Sequence, residues 1–211
     1  MNRKFVSKSN YVLRKVLNNE ENLDIIKDFI ETILKVKIEK IILHPYLQKM
    51  SNYLPAEENF GIADVRISTN ENEEMNVGIQ FIDGMYVQTK MLMYYAQIHL
   101  NQLEYDEKRE CAKTITINLL DFKYFTSQGY DKLIRIKSNE GNIKLEELEM
   151  YVIELPKFII SDSNNMTKKE EWIAYLKGCE DILIEKVKIN NKNIALLDEL
   201  LEKYWLEEKM E

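Results

Sequence analysis

The chain is poor in the residues that break or brace small folds. Six glycines and three prolines in 211 residues are too few for the turn density of an all-β sandwich, and the composition is neither collagen-like nor disordered. The two cysteines, Cys111 and Cys179, belong to no CxxC pair. That excludes a disulfide framework and a cysteine zinc site, and points to two inert reduced thiols. No apolar run approaches the roughly 18 residues of a membrane span, and the first residues lack the apolar stretch of a secretion signal, so the expected compartment is the cytoplasm. Basic residues are outnumbered 29 to 36, for a net charge of -7, so any contact with a polyanion must come from a local patch. The two histidines, His44 and His99, have no partner at ligand spacing and are expected to be structural.

What is present describes a soluble α/β protein of about one domain, with a helical appendage. Residues 19–36 carry Leu23, Ile26, Ile30 and Leu34, with Ile25, Phe29 and Ile33 beside them, at the spacing of a core helix. Asn18 and Glu21 stand at capping-box distance before it, and a shorter helix is expected over 11–17. Residues 38–47 read as a short strand, at a sheet edge, ending near Pro45. Two strand-like runs, 62–68 and 75–82, flank a polar turn and predict an antiparallel hairpin. Residues 87–103, with Met91, Tyr94, Tyr95, Ile98 and Leu103, form a second long helix, and Met91, Met93, Tyr94 and Tyr95 are expected to be core. The runs 114–122 and 150–155 are further strands, both placed beside the hairpin. From Lys168 onward, Trp172, Tyr175 and Leu176, then Leu196, Leu197, Leu200, Leu201 and Trp205, predict helices behind the polar lead 161–165. The expected division is a core over 1–160 and a C-terminal helical segment over 161–211, packed on the core or on a partner.

In the hairpin, strand alternation puts Val77, Ile79 and Phe81 on one face and Asn76, Gly78, Gln80 and Ile82 on the other. If the hairpin folds about residues 71–73, Asp64 lies opposite Gly78 to Gln80, close enough to share an ion or substrate. As a strand acid, Asp64 could equally serve to discourage edge-to-edge aggregation, and Gly78 could mark a bulge or a point of close packing.

Asp64-Val65-Arg66, a polar loop, then Val77-Gly78-Ile79-Gln80 resembles the Asp and Glu-x-Gln pattern of the recombination-promoting nuclease (Rpn) and putative transposase group of the PD-(D/E)XK nuclease superfamily. Asn10-Tyr11-Val12-Leu13-Arg14 resembles that group's Asp-x-x-Phe-Lys start, with Asn10 in place of the acid. Thr116-Ile-Asn-Leu-Leu-Asp-Phe122 resembles its strand ending in Leu-Asp-Phe. Tyr151-Val-Ile-Glu-Leu-Pro-Lys-Phe158 resembles its Ile-Glu-Leu-Pro-Lys-Phe segment, followed by a Trp-bearing helix at Trp172. The resemblance covers roughly residues 9–180.

It implies a restriction-endonuclease-like core, a central mixed sheet flanked by helices, and metal-dependent hydrolysis of DNA phosphodiesters. Asp64 would be the metal ligand, Gln80 would position the attacking water, and the main-chain carbonyl of Ile79 would be a second oxygen on Mg²⁺ or Mn²⁺. Lys90, where the group often has Arg, would touch a DNA phosphate. The departure is Gly78, which stands at the expected Glu position and has no side chain to bind an ion. Glu74 has the right strand parity to substitute but sits toward the turn; Asp83 needs a bulge to reach. The expected activity is a weak or inactive DNA endonuclease. The alternative is a non-catalytic DNA-binding or protein-interaction module that regulates an active relative. Association as a homodimer, or with a full-length relative, through the apolar C-terminal helices is the partner expectation, beside their folding back on the core.

Overall fold

The computed structural model describes residues 10–43, 63–71, 73–82, 86–102, 112–137 and 144–208. In chain order the elements are α1 (Asn10–Leu17), α2 (Leu23–Leu34), β1 (Ile38–Leu43), β2 (Ala63–Thr69), β3 (Glu74–Ile82), α3 (Val87–Asn101), β4 (Lys113–Leu120), β5 (Asp131–Lys137), β6 (Lys144–Glu154), α4 (Lys168–Lys177), α5 (Asp181–Asn190) and α6 (Lys192–Glu208). The six strands make one mixed sheet in the order β1-β2-β3-β4-β6-β5. β1, β2 and β3 are antiparallel neighbours, β3-β4 and β4-β6 are parallel, and β5 runs antiparallel to β6 at the far edge.

Helices cover both faces of the central strands, which is why β3 and β4 are buried along almost their whole length. Val77, Ile79, Ile115, Ile117 and Leu119 point into the main core, shared with α1, α2 and the C-terminal helices. The opposite face lies under α3, where Ile82, Leu120, Met150 and Val152 cluster with Val87 and Met91.

The C-terminal helices join the first helices through a buried polar contact. Asp28 on α2 accepts a hydrogen bond from Trp172 Nε1 at 2.9 Å and an ion pair from Lys168, while the Trp172 ring meets Phe29 edge-on with centroids 5.3 Å apart. α4 starts with a full capping box, Thr167 and Glu170, and ends on Gly178 at φ 70, the left-handed conformation in which glycine carries no Cβ penalty.

Several expectations need correction. The core helix begins at Leu23, with Asn22 as an N-cap that makes no side-chain cap bond, after a 3₁₀ turn over Glu20–Asn22 that Asn19 caps by accepting from the Glu21 N–H at 3.0 Å. Asn18 instead donates to the Arg14 carbonyl and closes α1. Of the two later strands expected beside the hairpin, only β4 is there, because β6 pairs on the far side of β4. β6 is longer than the expected 150–155, and β5 was not expected at all. β1 ends at Leu43 and does occupy an edge, while residues 44–47 of that expected strand, and His44, lie outside the described residues.

Candidate active site

The hairpin register aligns Asp64 with Gly78, Ala63 with Ile79 and Arg66 with Asn76. Directly opposed residues of an antiparallel pair share a face, so Asp64, placed here by its backbone register, lies on the face of Gly78 and Gln80. That face is the one under α3. β4 extends it by pairing Asn76 with Thr114, Gly78 with Thr116 and Gln80 with Asn118.

The result is a polar strip where a plain core would carry aliphatic side chains. Asn76, Gln80, Thr114, Thr116 and Asn118 are all buried. Gln80 donates through Nε2 to Asn118 Oδ1 at 2.5 Å, and Asn118 Nδ2 donates to Thr116 Oγ1 at 3.1 Å and to the Tyr151 carbonyl at 3.0 Å. At the end nearer the start of β4, Thr114 Oγ1 lies 3.0 Å from His99 Nδ1 and accepts from Gln102 Nε2 at 2.8 Å, so His99 has a structural partner. Gln80 Oε1 and both amide atoms of Asn76 have no hydrogen-bond partner among the described residues. Each such buried group costs on the order of 1–3 kcal/mol, which marks the strip as more than packing.

Above Gly78 stands Tyr94, which the sequence placed in the core in preference to a base-stacking platform. It is wholly buried, and its hydroxyl donates to the carbonyls of Ile79, at 3.1 Å, and Ala63, at 3.3 Å. A Cβ built on Gly78 would lie 2.1 Å from Ile98 Cδ1, 2.7 Å from Tyr94 Oη and 2.8 Å from Tyr94 Cζ. Continuous pairing from Ala63 to Ser68 against β3 leaves no bulge at this point, so the glycine is a place of close approach between strand and helix. The signal that could have found Tyr94 is this pairing of an interior strand glycine with a helix whose inward positions 87, 91, 94 and 98 carry one polar-tipped aromatic.

Among the other named residues, Lys90 is half-buried in the first turn of α3, one helical turn before Tyr94 and therefore on the same side of the helix. Glu74 is drawn into an ion pair with Arg66, so it is committed away from Gly78. Asp83 and Cys111 lie outside the described residues; Cys179 is free and half-buried, with burial pushing its thiol pKa up.

The Glu154-Leu-Pro-Lys157 segment has a different job. Glu154, at 0% exposure, accepts through Oε1 from the N–H groups of Tyr124 and Phe125, at 2.5 and 3.0 Å, and through Oε2 from Lys132 and Lys157 Nζ, each at 2.8 Å. Lys157 also donates to the carbonyls of Phe125 and Ser127. Burial alone would raise the carboxyl pKa, but the two ammonium groups and two backbone donors outweigh it and hold the group at about 2. This clasp fixes residues 121–130, the loop that follows β4.

The mixed sheet with a hairpin acid and a helix-covered polar strip is a restriction-endonuclease-like α/β fold. The family model described as PD-(D/E)XK nuclease family transposase matches residues 7–211, and the chain belongs to that family. The match runs through all the C-terminal helices. No curated protein and no solved structure matches the chain.

Nucleases of this class generally depend on a divalent ion, and the described residues around Gly78 do not make a site for one. A hard cation wants about six oxygen ligands, with carboxylates among them. Here the position opposite Asp64 has no side chain, the Ile79 carbonyl accepts the Tyr94 hydroxyl, and the space over Gly78 is filled by Tyr94 and Ile98. Among the described residues no three His, Cys, Asp or Glu side chains come together as an ion site.

Proposed function

We propose that this chain is a DNA-engaging PD-(D/E)XK protein whose phosphodiester hydrolysis is weak or absent. The observation that carries the reading is the register: Asp64 of β2 faces Gly78 of β3 across one ladder rung, on the buried polar face. Hydrolysing a phosphodiester builds negative charge on the phosphate oxygens, and that charge must be met by an ion or by fixed cations. One carboxylate beside a glycine is a poor ion trap. Asp64 and Gln80 are the residues we assign to the remaining site. Lys90, on the rim formed by the first turn of α3, is the phosphate contact we assign.

Family membership supports DNA as the target, and no helix among the described residues is long and apolar enough to cross a membrane. The reduced state expected of Cys179 agrees with a place in the cytoplasm. A non-catalytic role, as a DNA-occupying or regulatory companion of an active relative, is the second reading. The observation favouring it is the filled space above Gly78.

The test is a plasmid-nicking assay with Mg²⁺ and with Mn²⁺, run beside anisotropy binding to duplex DNA, on the natural chain and Asp64→Ala. DNA binding with nicking near background, unchanged by the substitution, is the expected result. Robust nicking that vanishes in Asp64→Ala refutes the impaired-centre reading, and absence of any DNA binding refutes DNA as the target.

A further inference from the structure

We infer that Gly78 and Tyr94 are a matched pair in which Tyr94, backed by Ile98, plugs the slot beside Asp64, so that an ion site returns only when α3 is trimmed at the same time as an acid is restored. The inference rests on the proposed reading of position 78 as the family's acid position.

Tyr94 acts on the slot in two ways. It fills it: the nearest atoms to a Cβ at 78 are Ile98 Cδ1 at 2.1 Å and the Tyr94 Oη and Cζ at 2.7 and 2.8 Å, all well inside van der Waals contact. It also takes the oxygens, because a hydroxyl that donates to the Ile79 and Ala63 carbonyls uses lone pairs a cation would need and turns the positive end of its dipole toward the site. Ala63 and Ile79 are themselves register partners, so one phenol spans the two strands next to the Asp64-Gly78 rung.

The two blocking residues are not equivalent. Ile98 meets the slot with the end of a flexible side chain, which a rotamer change can withdraw. Tyr94 is a rigid ring at 0% exposure, and moving it strips a buried hydroxyl of its acceptors. The loss of the family acid is therefore built into the packing of α3 on the sheet, and a single Gly78→Glu substitution does not reverse it.

The experiment compares thermal midpoints and Mn²⁺ binding by titration calorimetry on the full chain. Gly78→Ala in the natural background is expected to lower the midpoint by roughly 4–10 °C, the usual effect of overpacking in a chain of this size. In a Tyr94→Ala, Ile98→Val background the same change is expected to cost under about 2 °C, since the added methyl now has room. For Mn²⁺, Gly78→Glu alone is expected to bind no more tightly than the natural chain. The triple variant G78E/Y94A/I98V is expected to bind at least about tenfold more tightly than either, and to lose that gain on Asp64→Ala.

Equal cost of Gly78→Ala in both backgrounds overturns the plug, as does Mn²⁺ binding by Gly78→Glu equal to that of the triple. A folded triple that takes no Mn²⁺ overturns it as well. Should the triple not fold, G78A is compared with G78A/I98V, which removes only the nearest methyl: partial recovery of the midpoint, with Tyr94 still in the slot, supports the plug, and full recovery overturns it. Neither readout involves DNA, so a natural chain that binds no duplex DNA sinks the proposed function, while a triple that takes up Mn²⁺ leaves the plug standing.

Discussion

Replacing Glu154 by Gln tests the loop clasp, and its size follows from the structure. The carboxyl sits at about 2 against an ordinary 4.5; at about 1.36 kcal/mol per unit, its charged form contributes about 3 kcal/mol to folding near neutral pH. A glutamine has one acceptor oxygen for the four donors that now converge, and leaves Lys132 and Lys157 without a counter-charge. The cost expected at pH 7 is about 3–5 kcal/mol. Because the folded pKa is depressed, the unfolded chain takes up a proton first on acidification. The contribution is thus complete above about 4.5 and drains away as pH falls toward 2. Urea melts of both proteins at pH 7, 4 and 3 should show the gap between them narrowing, by under about 1 kcal/mol at pH 4 and about 2 kcal/mol at pH 3. A variant within about 1 kcal/mol of the natural chain at pH 7, or a gap that stays constant with pH, refutes the assignment.

Trp172→Phe keeps the edge-on ring contact but deletes the indole donor to buried Asp28, and should cost about 1–3 kcal/mol in a denaturant melt. Gly178→Ala places a Cβ at φ 70 and should lower stability by about 1 kcal/mol, read from the same melt. Lys90→Ala should flatten the salt dependence of DNA binding by about one counterion in the slope of log K against log salt, while leaving the melting midpoint within about 2 °C. Treating the natural chain with a chelator should leave its midpoint unchanged, and a chelator-induced drop of several degrees would contradict the filled slot.

The sheet's centre was readable because its signals are local. Alternation in 62–68 and 75–82 across a polar turn fixes a hairpin, and the hairpin fixes which residues face Asp64. β5 escaped because Asp131-Lys-Leu-Ile-Arg-Ile-Lys137 spends its charges as an edge strand does, and reads as no compact apolar run. The position of β6 is a matter of sheet order, which no periodicity in 150–155 contains. At the site, Gly78 was legible as a departure from the family pattern the sequence resembles, but the close approach of Tyr94 and Ile98 above it was not. Tyr94 lies 16 residues later on a helix that is apolar on several sides, with Leu92, Met93 and Leu100 facing outward, so no stripe singles out the inward tyrosine. The role of Glu154 was likewise hidden, because three of its four donors come from residues about thirty and twenty positions upstream.

The bond between Asp28 and Trp172 spans 144 positions of chain. A ribosome adding about 5–20 residues each second needs roughly seven to thirty seconds to make the second partner after the first. Throughout that interval the nascent α2 has no indole to meet its carboxylate, and its aromatic neighbour Phe29 lacks the edge-on ring. Completion of the packing around α2 therefore waits on synthesis of α4.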